Sequence, residues 1–433
     1  MRRLDWDALA PAERRAALQR PAVAAAPDTE ARVAALIDEV RRDGDSALRR
    51  LTAEFDGVQL DELHVSETEV AEARAALPEA ALAAIETAMA NVESFHRAQA
   101  SAPLRVETAP GVVCERLVRP IEAVGLYVPA GSAPLPSTAI MLAVPARLAG
   151  CPQRILCTPP RADGRADPAV VAAAVSCGVT EIFKLGGAQA IAAMAYGTDS
   201  VPRVAKIFGP GNAWVTAAKQ AVAADPNGAA LDMPAGPSEV MVVADADADP
   251  RFVALDLLSQ AEHGPDSQAL LVTTSVALAG AVETEIGRAL VGLGRRQIIE
   301  QALAHAAIVL VPAIADAFDV ANRYAPEHLI IQVNKPRQYI DLIVNAGSVF
   351  LGPWSPESVG DYCSGTNHVL PTYGYARNYS GLSLADFQRR LTVQELSRDG
   401  LAGLAQTVET LATLEGLDAH AAAVRVRLDE SSR

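Results

Sequence analysis

Four short stretches of this 433-residue chain hold acids, imidazoles and amides at spacings that can do chemistry. In the first, Leu258-Ser259-Gln260-Ala261-Glu262-His263, a helical pattern is stopped by Gly264 and Pro265. Gln260 and His263 stand three residues apart, so on a helix they share one face and can reach a single cation. A histidine closing a helix also suits the negative end of the helix dipole, and spacing alone does not choose between the two. The second stretch, 359–368, offers Asp361 and His368 on irregular backbone that can aim side chains inward. The third, 414–420, places Glu415 and His420 in a helical pattern near the carboxyl end. Nitrogen and oxygen donors without thiolates suit Zn2+, and Mn2+ or Co2+ as well.

The fourth stretch, Tyr324-Ala325-Pro326-Glu327-His328-Leu329, sets an acid beside an imidazole where a loop enters a strand pattern. Such a pair can divide labour, one group activating water and the other accepting a substrate proton. Neighbours on a strand point opposite ways, so both serve one site only if the loop bends. Otherwise they are two solvated polar residues at a strand edge. Two glycine turns, Gly186-Gly187-Ala188-Gln189 and Gly209-Pro210-Gly211-Asn212, open helical patterns. Free N–H groups and the helix dipole there favour a pyrophosphate. The standard GxGxxG fingerprint, with an acid roughly twenty residues on, is absent. Two such turns in one domain nonetheless favour a nucleotide site over two plain turns. His64, His96 and His305 lie in ordinary helical or linking sequence, and the five cysteines lack CxxC spacing, so none is assigned chemistry.

The elements that must position these groups follow from periodicity. Residues 4–99 read as a helical leading region, clearest over 30–50 and 79–97. Strand-turn-helix units then follow. One runs from 123–128 through a loop into a helix near Ser137, whose hydroxyl is expected to cap it. Others begin at 181–185 and 204–208. A second set begins at 239–244, passes through a helix ending near His263, and continues with strands at 269–273, 308–311, 329–333 and 348–351. Repeated units of this kind imply parallel sheets. The stretch 352–381 is loop-like and too long to be a mere connector, which points to function.

Residues 384–427 return to helical patterning and are expected to dock on a second copy. The fold class is therefore α/β: two Rossmann-like parallel-sheet domains, a helical N-terminal region and a helical C-terminal tail. Boundaries are drawn at 1–105 for the leader, 106–129 with 239–381 for the metal and acid–base domain, 130–238 for the nucleotide domain, and 382–433 for the tail. By pattern the 123–128 strand groups with those at 181 and 204, whereas the boundary at 129 leaves it with the other domain.

Composition narrows the function. A formal charge of −15 disfavours nucleic acid and acidic membrane surfaces. No apolar run approaches the roughly 20 residues of a spanning helix. Arg2 and Arg3 are followed by acids rather than an apolar signal segment, and the cysteine usage suits a reducing compartment, so a cytoplasmic location is expected.

Taken together the stretches resemble the histidinol dehydrogenase family, at 127–138, 184–191, 208–214, 232–240, 260–268, 325–329, 359–372 and 415–420. The resemblance implies oxidation of L-histidinol to L-histidine, the last step of histidine biosynthesis, by two NAD-dependent hydride transfers through a bound aldehyde. It implies that Gln260, His263, Asp361 and His420 hold zinc, which anchors the substrate. His328 would take the hydroxyl proton of the first oxidation, and Glu327 would activate the water of the second. Ser238, Gln260, His263, Glu327, His328, Asp361, His368, Glu415 and His420 would contact substrate, while Tyr127, Gln189 and Asn212 would contact NAD. The resemblance also implies a homodimer with shared active sites, the tail reaching the partner. Two departures stand out: Ala130-Gly131 where the family often has two glycines, and Cys363 at a position that is commonly small and apolar. The rival readings are a paralogous zinc and NAD alcohol dehydrogenase acting on a non-imidazole alcohol, and a zinc hydrolase with Glu327 activating water.

Overall fold

The computed structural model describes residues 1–20, 28–130, 133–234 and 236–429, so Gly131 of the first βα loop lies outside the described residues. In chain order the strands of the first half are β1 (Arg2–Asp5), β2 (Leu104–Ala109), β3 (Val112–Pro120), β4 (Ala123–Tyr127), β5 (Gln153–Thr158), β6 (Glu181–Lys184) and β7 (Lys206–Phe208). Those of the second half are β8 (Ala230–Leu231), β9 (Glu239–Ala244), β10 (Gln268–Thr273), β11 (Ala307–Leu310), β12 (His328–Gln332), β13 (Ser348–Leu351) and β14 (Gln388–Leu396). They form a six-stranded sheet, β1-β11-β10-β9-β12-β13, a five-stranded sheet, β6-β5-β4-β7-β8, and a three-stranded sheet, β14-β3-β2.

Every pairing within the first two sheets is parallel. Such strands are buried on both faces and need apolar side chains on each. Along β4 and its extension, Val124, Leu126 and Val128 face the helices Pro136–Ala149 and Pro168–Ser176, while Tyr127 faces Gly187–Tyr196 and Ala213–Ala224. In β9, Val240 and Val242 pack beneath Pro250–Ala261, and Met241 and Val243 pack toward Ile314–Tyr324. The α/β class and its parallel sheets are therefore what the chain forms.

Several boundaries differ from the sequence reading. β4 pairs with β5 and β7 at the centre of the five-stranded sheet, so the 123–128 unit belongs with 181 and 204, not with 239–381. Residues 106–120 leave that domain too, because β2 and β3 pair antiparallel with β14 from the tail. The leader is not helical throughout: β1 adds an edge strand to the six-stranded sheet. Its helices do not form a separate unit either, since Thr29–Phe55 covers one face of the five-stranded sheet and Glu79–Arg97 covers the other. The tail begins with β14 before its helices Arg398–Glu415 and Asp418–Leu428. Ser137 is not a cap, since the helix starts at Pro136 behind Leu135 with no side-chain bond. Proline at the first helical turn has no N–H that needs satisfying, so this helix starts without one. Among the described residues no helix is long and apolar enough to cross a membrane.

One aromatic stack ties the tail to the rest. Phe387, just before β14, lies parallel to Phe208 at the end of β7, with ring centroids 4.0 Å apart and both rings fully buried. Phe387→Ala is expected to cost about 3–5 kcal/mol in denaturant unfolding. A loss below about 1 kcal/mol would show that the stack does not hold the tail sheet in place.

Candidate active site

The acid–imidazole pair is built at the amino end of β12. The helix Ile314–Tyr324 closes at Ala325, which takes the left-handed conformation (φ 55°), and Pro326 prevents its continuation. The turn brings Glu327 and His328 into the interior, 5% and 4% exposed. The bend that an adjacent pair needs is therefore present. Gly347 makes room for it, because a Cβ there would sit 2.6 Å from the Glu327 carbonyl oxygen.

The backbone of Glu239, at the start of neighbouring β9, fixes both side chains. Its N–H donates to Glu327 Oε2 at 2.8 Å, and its carbonyl accepts from His328 Nδ1 at 3.0 Å. A carbonyl can only accept, so Nδ1 carries the hydrogen of that bond, and in the neutral form of the ring Nε2 is the atom that can take up a proton. Nε2 lies 3.5 Å from Asp361 Oδ1.

Metal-type donors surround this nitrogen. Gln260 ends the helix Pro250–Ala261 fully buried, and neither polar atom of its side chain has a partner. His263 follows just beyond that helix, exposed on the single chain. The short helix Glu357–Tyr362 presents Glu357 and Asp361 one turn apart. His263, Glu357 and Asp361 each offer a ligand atom, all within 4.8 Å of one another, and could hold a divalent cation. Sequence reasoning missed Glu357, although its i,i+4 spacing from Asp361 was a signal that could have found it.

Electrostatics follow from burial. Desolvation pushes the Glu327 carboxyl up to about 8 against the pull of His328, and pushes Glu357 up to about 8 in the same way. Burial pulls His328 down, but Glu357, Glu327 and Asp361 outweigh it and hold its pKa well above the ordinary imidazole value. For Asp361 burial raises the pKa, yet the hydrogen bond and charge of His328 leave it below the usual carboxylate range. His368 is lowered by burial. Its Nδ1 bonds the Asp361 carbonyl at 2.6 Å, and its Nε2 meets Thr138 Oγ1 at 3.2 Å.

Thr138 lies in the first turn of the helix that follows β4, so His368 bridges the two parallel-sheet domains. The amino edge of the six-stranded sheet thereby faces the carboxyl edge of the five-stranded one. At that second edge the Tyr127 hydroxyl accepts from Gly187 N–H at 3.0 Å, and Asn212 Oδ1 caps its helix by accepting from the N–H groups of Trp214 and Val215. Gln189 is buried beside Gly187. Gly209 lies so close to the Tyr127 carbonyl that a Cβ would sit 2.1 Å from its oxygen, so only glycine fits. Ser238 stands one residue before β9, its carbonyl accepting from Gln268 N–H at 3.0 Å. Glu415 and His420 are exposed on the tail and outside the donor cluster of their own chain.

Fold and site together define an α/β protein of the dehydrogenase type, with a buried acid–imidazole pair between its two parallel sheets. The histidinol dehydrogenase family model matches residues 18–428. A histidinol dehydrogenase of Xanthomonas axonopodis pv. citri (strain 306) is 58% identical over 428 residues, 99% of each chain. One of Photobacterium profundum is 54% identical over 430 residues, covering 99% of this chain and 96% of that one. The crystal structure of histidinol dehydrogenase from Elizabethkingia anophelis superposes with a TM-score of 0.95 at 44% identity, covering 99% of this chain and 98% of the other. The chain belongs to the histidinol dehydrogenase family and is an oxidoreductase.

Glu357 offers a measurable signature of this burial. A carboxyl whose pKa rises from 4.5 when unfolded to about 8 when folded makes stability fall as pH climbs through that interval. Metal-free Glu357→Gln protein is therefore expected to gain stability over wild type between pH 5 and pH 9. Unfolding midpoints at the two pH values measure it, and a pH-independent difference would contradict the burial of an ionisable carboxyl.

Proposed function

We propose that this chain oxidises L-histidinol to L-histidine, the last step of histidine biosynthesis, in two successive NAD-dependent steps through a bound aldehyde, with zinc as its resident metal. The observation that carries the reading is a set of buried polar atoms with no hydrogen-bond partner: both side-chain ends of Gln260 and Oε2 of Glu357. Leaving such atoms unpaired costs about 1–3 kcal/mol each, which a ligand recovers. His263 and Asp361 bring nitrogen and oxygen donors near one another, Gln260 has a buried amide without a partner, and these three would hold a zinc ion with His420 of a second copy completing the set. Held by those residues, zinc would supply an anchor for the substrate, and NAD would supply the hydride acceptor.

The chain's own residues supply the proton chemistry. His328, held by its Nδ1 hydrogen bond, receives the hydroxyl proton at Nε2 in the first oxidation. The surrounding carboxylates stabilise the imidazolium that results from that transfer. Glu327, whose carboxyl burial pushes up to about 8, removes in its ionised form a proton from the water that hydrates the aldehyde before the second oxidation. Asp361 carries the negative charge that faces the imidazolium once it forms. His368, Ser238 and Glu415 join the substrate contacts. Tyr127, Gln189 and Asn212 lie at the carboxyl edge of a parallel sheet, where nucleotides bind, and are assigned to NAD.

The enzyme works as a cytoplasmic homodimer in this reading. Leu411, Leu414 and Val426 on the two tail helices, with Leu417 in the turn between them, leave an apolar surface exposed, and the helices pack mainly on each other. A second copy covers it and receives Glu415 and His420 in its site.

Two experiments test these statements. Zinc-loaded enzyme given L-histidinol is expected to reduce two NAD per alcohol consumed and to release L-histidine. One NAD per alcohol, or no turnover of the imidazole alcohol, would defeat the four-electron reading. Co-expressed Glu327→Gln and His420→Asn chains, neither of which forms L-histidine alone, are expected to regain about a quarter of wild-type L-histidine formation, because a hybrid dimer carries one intact site and half the dimers are hybrids. Hybrids without activity would place the tail in the site of its own chain.

A further inference from the structure

Behind the acid–base pair lies a second buried charge cluster that plays no part in the chemistry above. The Glu239 side chain is 0% exposed. Arg20 grips it with both prongs of its guanidinium: Nε donates to Oε1, and Nη2 donates to Oε2 at 2.7 Å. Oε1 also accepts from Tyr373 N–H at 3.1 Å. Arg20 is itself clamped. Its guanidinium stacks over the Tyr324 ring 3.8 Å from the centroid, and Nη2 donates to the carbonyls of Tyr324 and Ala325 at 3.0 and 3.3 Å. Those carbonyls end the helix that leads into Glu327, where no intrahelical partner remains for them.

The placement matters because of what the Glu239 backbone does. The same residue that offers its carboxylate to Arg20 offers its N–H to Glu327 and its C=O to His328. Arg20 thus touches both elements that aim the pair, the start of β9 through Glu239 and the approach to β12 through residues 324 and 325. A carboxylate buried without its counter-charge must take up a proton or draw in water. Either event shifts the peptide on which both side chains hang. Proton transfer in a positioned site is sensitive to displacements of that scale.

We infer that Arg20 and Glu239 are positioning residues for the general acid–base pair, a pin set from the N-terminal region that holds Glu327 and His328 in register across β9 and β12. The inference rests on the proposed roles of those two residues. It gives the leading segment a part in catalysis although it contributes no group that meets substrate.

The test compares Arg20→Met, Arg20→Lys, Glu239→Gln and the double variant Arg20→Met with Glu239→Gln, all zinc-loaded. Arg20→Met is expected to lower kcat by roughly tenfold or more while KM for the alcohol and zinc content stay within about twofold. The double variant, which removes the orphaned charge, is expected to recover a substantial part of that loss, and Arg20→Lys to lose less than Arg20→Met. A kcat within twofold of wild type for Arg20→Met, or a double variant no better than Arg20→Met, overturns the inference. So does a loss shared by kcat, KM and zinc. If Arg20→Met does not fold, Arg20→Lys against Glu239→Gln decides by the same kcat and KM split. His328→Asn run alongside separates the two layers: if it retains full kcat, the acid–base reading fails, whereas its collapse beside an unaffected Arg20→Met removes the pin alone.

Discussion

A carboxylate away from water is tolerated only when something nearby answers its charge or when it keeps its proton. At the centre of this chain Glu327, His328, Glu357 and Asp361 share one small volume, with Glu239 and Arg20 one layer behind. No single element can hold so many ionisable groups together. They arrive from β9, β12, the turn after Pro250–Ala261, the short helix Glu357–Tyr362 and the N-terminal region, and each group's protonation depends on its neighbours. The two parallel sheets supply the rigidity: strands apolar on both faces leave little freedom for the few polar residues at their ends.

Much of this was legible in the sequence, for a physical reason. Parallel strands buried on both faces must read as near-continuous apolar runs, and β4, β9, β10 and β12 do. The chemistry-bearing stretches were legible too, because Glu327-His328 and Gln260 with His263 are local patterns. What escaped was long-range or polar. β1, Arg-Arg-Leu-Asp, and β14, Gln-Arg-Arg-Leu-Thr-Val-Gln-Glu-Leu, are edge strands with exposed side chains, so burial leaves little hydrophobic signature on them. Pairing of β3 with β14 cannot be read from either segment alone, and that hid the true place of 106–120.

The hidden members of the site escaped for the same reason. Glu357 resembles any surface acid following a proline until folding buries it beside His263 and Asp361. Arg20 and Glu239 are an ordinary arginine and an ordinary glutamate whose partnership exists only in three dimensions. Buried ion pairs are often weak contributors to stability, yet they select one arrangement over others when a misplaced charge is costly. That reasoning explains why residues without any contact to a reactant can matter here as much as the local motifs.

The antiparallel sheet imposes an order on biosynthesis. β2 and β3 leave the ribosome as a hairpin, but β3 acquires its second neighbour only when Val112 meets Leu396, after both α/β layers have been synthesised. Until then one long edge of that hairpin has its peptide groups open to any extended chain nearby. Contacts so distant in sequence close slowly. Completion of this sheet is therefore a late event, set by a pairing that joins the first third of the chain to its tail.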